Sequence, residues 1–200
     1  NDWWDQKAVE NLTINGKTFM TTGDISVIGN YATYVMAFNK TLHEQYGLDD
    51  VYSLVKDGKW TFDAFAGMAR QVSEDLNGNG RYDKDDRFGF MTYGSDYPGF
   101  MFACGGSFSA PEGDTLVTNY NTERVISQLT DLAELHRDNS TFFFPNDEVA
   151  NKIFLEGRTL FSFRTLINLN FYRDMETDYG ILPMPKYDEN QDEYHCGVHA

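Results

Sequence analysis

The chain has 200 residues, 41% hydrophobic and 16% aromatic, which is enough for one packed core and too little for several domains. Its 31 acidic against 16 basic residues leave a net charge of -15, a field that repels nucleic-acid phosphates, and no Lys/Arg cluster offsets it. No run approaches the roughly 18 apolar residues of a spanning helix, so neither nucleic-acid binding nor membrane insertion is expected.

Up to Lys40 the chain reads as strand and turn. Asn15-Gly16 is a hairpin signal between extended runs at Leu12–Ile14 and Lys17–Thr21. Tyr31–Phe38 (YATYVMAF) is an apolar, β-rich run, long enough for a strand buried on both faces. Leu42–Tyr46 and Asp50–Val55 read as short helices, with Gly47 stopping the first. Thr61–Glu74 is the clearest helix: Phe62, Phe65, Ala66, Ala69 and Val72 share one face, and Thr61 can cap it. Trp60, just before it, reads as packing. Arg87–Thr92 predicts a strand, whereas Tyr93–Ala110 is rich in Gly, Ser and aromatics and has no clean period. A helix over Thr122–His136 is expected to bury Val125, Ile126, Leu129, Leu132 and Ala133. Asn146 caps another helix that runs to Glu156 and ends at Gly157. Thr159–Phe163 and Tyr179–Leu182 read as buried strands, the second closed by Pro183 and Pro185. Strands alternating with helices argue for an α/β fold.

The stretch Asp75–Asp86 (DLNGNGRYDKDD) poses a sharper question. Asp75, Asn77, Asn79, Asp83 and Asp86 occupy positions one, three, five, nine and twelve of an EF-hand-type loop. Gly80 stands at the sixth position, where the sharp turn falls, and the Arg81 carbonyl at the seventh. The twelfth residue is Asp rather than a bidentate Glu, as in dockerin-type loops, and its shorter reach implies a weaker or differently shaped site. The competing reading is an Asx-rich turn held by its own side chains. Turn chemistry alone rarely yields six matches at these offsets, so a structural calcium ion is expected. A helix enters the loop and a strand leaves it, which excludes a paired helix–loop–helix switch.

Catalytic signals are weak. The four histidines fall in no HExxH pattern, no GxSxG elbow occurs, and Gly78 and Gly80 are followed by no GK[ST]. His195 and His199 stand four apart, but Gly197 between them favours a solvated segment over a ligand pair. With 31 acids, some carboxylate pair always arises, so that signal does not discriminate a glycosidase. Cys104 and Cys196 make neither a disulfide framework nor a zinc site; two ordinary buried thiols are favoured over a single bridge.

Several segments, in order, resemble the extracellular solute-binding proteins of ABC transporters, in the branch that takes sugars and oligosaccharides. They are NGKTFMTTGD (Asn15–Asp24), VMAFNKTLHEQYGL (Val35–Leu48), GKWTFDAFAGMARQV (Gly58–Val72), the acidic loop with its strand, FLEGRTLFSF (Phe154–Phe163) and DYGILPMPKYDENQDEY (Asp178–Tyr194). The resemblance implies an α/β, periplasmic-binding-protein-like (type II) lobe, a mixed sheet flanked by helices. Family members are roughly twice this length, so residues 1–24 are expected to be a crossover segment from a first lobe and residues 25–200 the second lobe. It also implies a carbohydrate ligand, a membrane permease as partner, no catalysis, and a location outside the membrane, lipid-anchored or periplasmic. By the same likeness, Asp24 and Arg164 are expected to hydrogen-bond ligand hydroxyls, Tyr97 to stack on a sugar and Thr165 to donate from a helix start. The alternatives are a calcium-stabilised adhesive module and a carbohydrate-active enzyme.

Overall fold

The computed structural model describes residues 3–24, 26–113, 115–143 and 146–198. His199 of the histidine pair lies outside them. Helix α1 (Gln6–Asn11) leads into a small hairpin, β1 (Thr13–Ile14) and β2 (Lys17–Thr18). Asn15 and Gly16, with φ of 50° and 70°, turn this hairpin as the sequence predicts. Helix α2 (Val27–Tyr31) follows, then strand β3 (Tyr34–Asn39) and helices α3 (Lys40–Gln45), α4 (Val51–Lys56) and α5 (Phe62–Val72). Next come β4 (Phe88–Thr92), α6 (Tyr97–Ala103), a ribbon of β5 (Ser109–Glu112) and β6 (Thr115–Thr118), and the long helix α7 (Glu123–Arg137). The order closes with β7 (Thr141–Phe143), α8 (Asp147–Leu155), β8 (Thr159–Thr165) and β9 (Tyr179–Leu182).

The main sheet has the order β7-β4-β8-β3-β9. Strands β7, β4 and β8 are parallel, and β3 pairs antiparallel with both β8 and β9, so it alone of the described strands in this sheet runs against the rest. Its side chains alternate as a strand buried on both faces must. Met36 and Phe38 join a core with Phe62 and Phe65 of α5, while Val35 and Ala37 join a second core with Ile153 and Phe154 of α8. The sheet is therefore mixed and covered by helices on both faces.

Phe65 is fully buried at the centre of the larger core. Its ring lies 4.9 Å from Phe90, 5.3 Å from Phe161 and 5.7 Å from Phe100, which ties α5 to β4, β8 and α6 in edge-on and tilted contacts. Gly89 lets α5 close on β4, because a Cβ there would lie 2.0 Å from the Ala69 carbonyl oxygen. Trp60 is also fully buried and donates through Nε1 to the Pro183 carbonyl at 3.0 Å, a packing role.

Four expectations change. The first forty residues contain two helices as well as strands, and α1 is capped by Asp5, whose carboxylate accepts from the Ala8 amide at 3.0 Å. Tyr31 ends α2, so the buried strand begins at Tyr34 and not at Tyr31. The unassigned stretch Tyr93–Ala110 holds a 3₁₀ turn (Gly94–Asp96), then α6, then the start of the β5–β6 ribbon. Helix α7 is rotated from the predicted face: Val125, Gln128, Leu132 and Leu135 are buried, whereas Ile126 is 53% exposed and Leu129 43%. The cause is polar. Gln128 and Arg124 both donate to the Cys104 carbonyl, at 2.7 and 2.8 Å, and this pulls a hydrophilic residue into the buried stripe. Cys104 is buried and Cys196 exposed, both as free thiols, and burial pushes the Cys104 thiol well above its ordinary value.

Urea unfolding should separate these contributions. Phe65→Ala is expected to cost about 3–5 kcal/mol, and Gly89→Ala at least about 2 kcal/mol through overpacking against backbone. Ile126→Ala should stay within about 0.5 kcal/mol; a loss like that of Phe65→Ala would refute the observed phase of α7.

Candidate functional site

At one edge of the sheet, β4 and β8 end and the antiparallel β3 begins. The carboxyl edge of parallel strands is where ligands enter open α/β sheets. A cleft of about 400 Å³ opens there. Tyr93 and Asp96 follow β4, Arg164 and Thr165 end β8, Tyr34 starts β3, and Ile28 and Tyr31 of α2 form the outer rim with Ile167. Asp147, in the first turn of α8, faces the same space.

Arg164 is 3% exposed. Its guanidinium donates to Tyr172 Oη at 2.9 Å, Asp147 Oδ1 at 2.8 Å and Asn151 Oδ1 at 2.7 Å. A cation this buried needs such a fork of acceptors. It acts as the keystone of the cleft wall and holds α8 and the 3₁₀ turn Leu166–Tyr172 to the end of β8. Thr165 donates its hydroxyl to Asn168 Oδ1 at 2.5 Å, and its amide reaches the same oxygen at 3.3 Å, so the pair caps that turn. Tyr34 donates its phenol to Asp96 Oδ1 at 3.4 Å, and the Tyr93 amide donates to Asp96 Oδ2 at 3.3 Å. Burial, helped by the charge of Asp96 and its hydrogen bond, pushes the Tyr34 phenol up to about 12. It therefore remains a donor throughout the neutral range.

The four residues expected to touch ligand are dispersed. Arg164 and Thr165 line the cleft, with the hydrogen bonds just described. Asp24 is exposed in a neighbouring hollow on the other side of α2, shared with Trp4, Asp5 and Asn30. Tyr97 turns away into a hollow between α6 and α7, beside Leu129 and His136, where burial pushes its phenol up to about 12. Tyr31, Tyr34, Tyr93 and Asp96 were not singled out by sequence reasoning. The rule that ligands lie beyond parallel-strand ends would have pointed to Tyr93 and Asp96 just after β4. Tyr31 and Tyr34 carry no such signal.

The acidic loop lies at the opposite, amino end of β4. Five strand residues, at about 3.3 Å each, separate it from the cleft. Asp75 accepts from the Gly78 and Gly80 amides, both at 2.8 Å. Asn77, Asn79 and Asp83 each accept from the amide two residues on, at 3.0, 2.7 and 2.9 Å. Asp86 is fully buried and accepts from the Leu76 and Asp83 amides at 3.0 and 2.8 Å. Paired bonds between Glu74 and Arg87 close the base, and Arg158 donates to the Asp86 carbonyl at 3.0 Å. The donors that the spacing selects are all oxygens, the set a hard cation takes. Among the described residues, however, no three His, Cys, Asp or Glu side chains gather closely enough to hold a metal.

No protein-family model matches the chain, and no curated protein matches it. Solved structures do. The maltose/maltodextrin-binding domain MalE from Bdellovibrio bacteriovorus, bound to maltotriose, aligns over 98% of this chain and 46% of its own, with a TM-score of 0.62 at 19% identity. This is a type II periplasmic-binding-protein fold. An ABC substrate-binding protein from Listeria monocytogenes in complex with cycloalternan aligns over 92% of this chain and 43% of its own, with a TM-score of 0.61 at 15% identity. UgpB from Mycobacterium tuberculosis, in complex with glycerophosphocholine, gives 92%, 42%, 0.62 and 16% for the same measures. The chain thus spans less than half the length of these proteins. Among the described residues, no helix is long and apolar enough to cross a membrane.

The Arg164–Asp147 pair offers a test of the wall. Asp147→Ala leaves a buried guanidinium short of its counter-charge, and because the Asp147 side chain is 53% exposed the cost should be about 2–3 kcal/mol, below that of a fully buried pair. Arg164→Met with Asp147→Ala should be non-additive by at least about 1 kcal/mol in urea melts. Simple additivity would mean that the pair does not hold the wall.

Proposed function

We propose that the chain is the ligand-binding lobe of a solute-binding component of an ABC importer, which captures a carbohydrate outside the membrane and delivers it to a permease. In this reading residues 25–200 form the second lobe and residues 1–24 a crossover segment, and the full protein is cell-surface anchored or periplasmic. The observation that carries it is the cleft itself. Three tyrosines, two carboxylates and an amide converge at the carboxyl edge of the sheet, in a fold shared with proteins solved with oligosaccharides. Sugars present flat apolar faces and rings of hydroxyls, and they are held by aromatic platforms with carboxylate or amide partners beside them. The arrangement orients a ligand; this reading assigns it no chemistry of its own.

A two-lobed binder gains affinity by enclosing its ligand. One lobe forgoes the other's hydrogen bonds, and losing two or three charge-assisted ones, at about 1.5–3 kcal/mol each, weakens binding a hundredfold or more. This chain should therefore unfold cooperatively on its own, show no thermal shift with micromolar oligosaccharide, and show shift changes at Tyr31, Tyr34 and Tyr93 in ¹⁵N NMR titrations at millimolar maltotriose. Changes confined to the Tyr97 hollow, or none, would refute the cleft as the site.

The acidic loop supports a second, finer proposal: that Asp75, Asn77, Asn79, Asp83, Asp86 and the Arg81 carbonyl hold a structural calcium ion. The ligand spacing and the all-oxygen donor set favour it, and its distance from the cleft gives it no part in ligand binding. Calorimetric titration of metal-stripped protein should show one site that Asp75→Ala abolishes. Equal melting temperatures in calcium and in chelator would leave the Asx turns as the whole explanation of the loop.

A further inference from the structure

The cleft divides its polar and apolar groups unevenly. Within the wall the polar side chains bond to one another: Arg164 donates to Asp147, Asn151 and Tyr172, Thr165 to Asn168, and Tyr34 to Asp96. Tyrosines aside, three ionisable side chains among the described residues line the cleft. Asp96 and Arg164 are largely buried, and Asp147 alone keeps much of its side chain, 53%, in solvent. The rim is the reverse. Ile28, Tyr31 and Ile167 line the same cleft with 74%, 51% and 50% of their surfaces exposed. The first two belong to α2, a helix in which no residue is buried. Its apolar side chains therefore add nothing to the core, and an apolar rim around a cavity gains free energy only when something covers it.

We infer that the ligand is amphipathic: a glycoside whose apolar aglycone, about one aromatic ring in size, lies over Ile28, Tyr31 and Ile167 while Asp147 accepts from its sugar hydroxyls. The inference rests on the carbohydrate reading above and narrows its ligand class. A ligand made only of hydroxylated rings would find most polar groups of the wall already engaged with one another, and would leave the three rim side chains against hydroxyls or water. An aryl group instead withdraws the rim from water and stacks on the Tyr31 ring, while the half-exposed carboxylate of Asp147 orients the sugar.

The probes are methyl β-glucoside, phenyl β-glucoside and benzyl alcohol, which present the sugar, the sugar with a ring, and the ring with a single hydroxyl. Each is titrated against ¹⁵N-labelled chain at up to tens of millimolar. Phenyl glucoside should bind roughly tenfold more tightly than methyl glucoside, equivalent to about 1.4 kcal/mol, and should bind more tightly than benzyl alcohol by a similar factor. The shifts that the phenyl group adds should fall at Ile28, Tyr31 and Ile167. Ile28→Ser with Ile167→Ser removes two exposed apolar side chains and should bring the two glucosides to within about twofold. Should that variant fail to fold, the shift map of the unaltered chain decides: phenyl-dependent changes at Leu129 and Tyr97 in place of the rim would overturn the inference. Equal affinity for the two glucosides, or a phenyl preference that survives the double substitution, would also overturn it and leave carbohydrate capture standing. Benzyl alcohol binding as tightly as phenyl glucoside, or a response to none of the three, would overturn the carbohydrate reading and this inference with it.

Discussion

The fold hangs on the antiparallel pairing of β3 with β8. Tyr34 sits opposite Thr165 and Phe38 opposite Phe161, contacts between segments more than a hundred residues apart. Without β3, β8 would become an open edge strand, and β9 would have no neighbour in the sheet. The same pairing brings the start of one strand to the end of another. Tyr34 thereby stands beside Arg164 and Thr165, and the cleft wall comes into being. Stability and site share one set of hydrogen bonds.

Two residues show how the two sides of the sheet divide their tasks. Phe65 is wholly apolar in its surroundings and joins α5 to the sheet by area and ring geometry, without specifying any ligand chemistry. Arg164 does the opposite. It is a buried cation that would be costly alone, and the Asp147, Asn151 and Tyr172 groups that satisfy it also fix where α8 and the following 3₁₀ turn stand relative to the cleft. A residue at a strand end in the cleft wall is thus also the strut that shapes the surface around it.

The two ends of β4 carry different chemistry for a similar reason. At its amino end, a loop of Asp and Asn side chains satisfies its own amides and closes on the Glu74–Arg87 pair. At its carboxyl end, Tyr93 and the largely buried Asp96 line the cleft. A strand of five residues is a rigid spacer, so the loop can stabilise the element that presents Tyr93 and Asp96 without touching anything bound to them.

The sequence by itself determined the elements whose signals are local. The α5 face, the caps at Thr61 and Asn146, the Asn15-Gly16 turn and the strands ending at Thr92 and Leu182 follow from periodicity, side-chain capping and backbone preference within a few residues. The α/β class and the likeness to solute-binding proteins were legible for the same reason, since they rest on the order of such elements. Tertiary structure decided the rest. The phase of α7 turned because the Cys104 carbonyl, twenty-four residues before Gln128, gives that side chain a buried partner. Tyr97 faced the α7 hollow and not the cleft, and Asp24 fell on the far side of α2. Tyr31 and Tyr34 entered the cleft wall because a helix ends at one and a strand begins at the other. Each of these outcomes depends on which distant segment lies opposite a side chain, and that is settled by strand pairing across the whole chain, a quantity no local window contains.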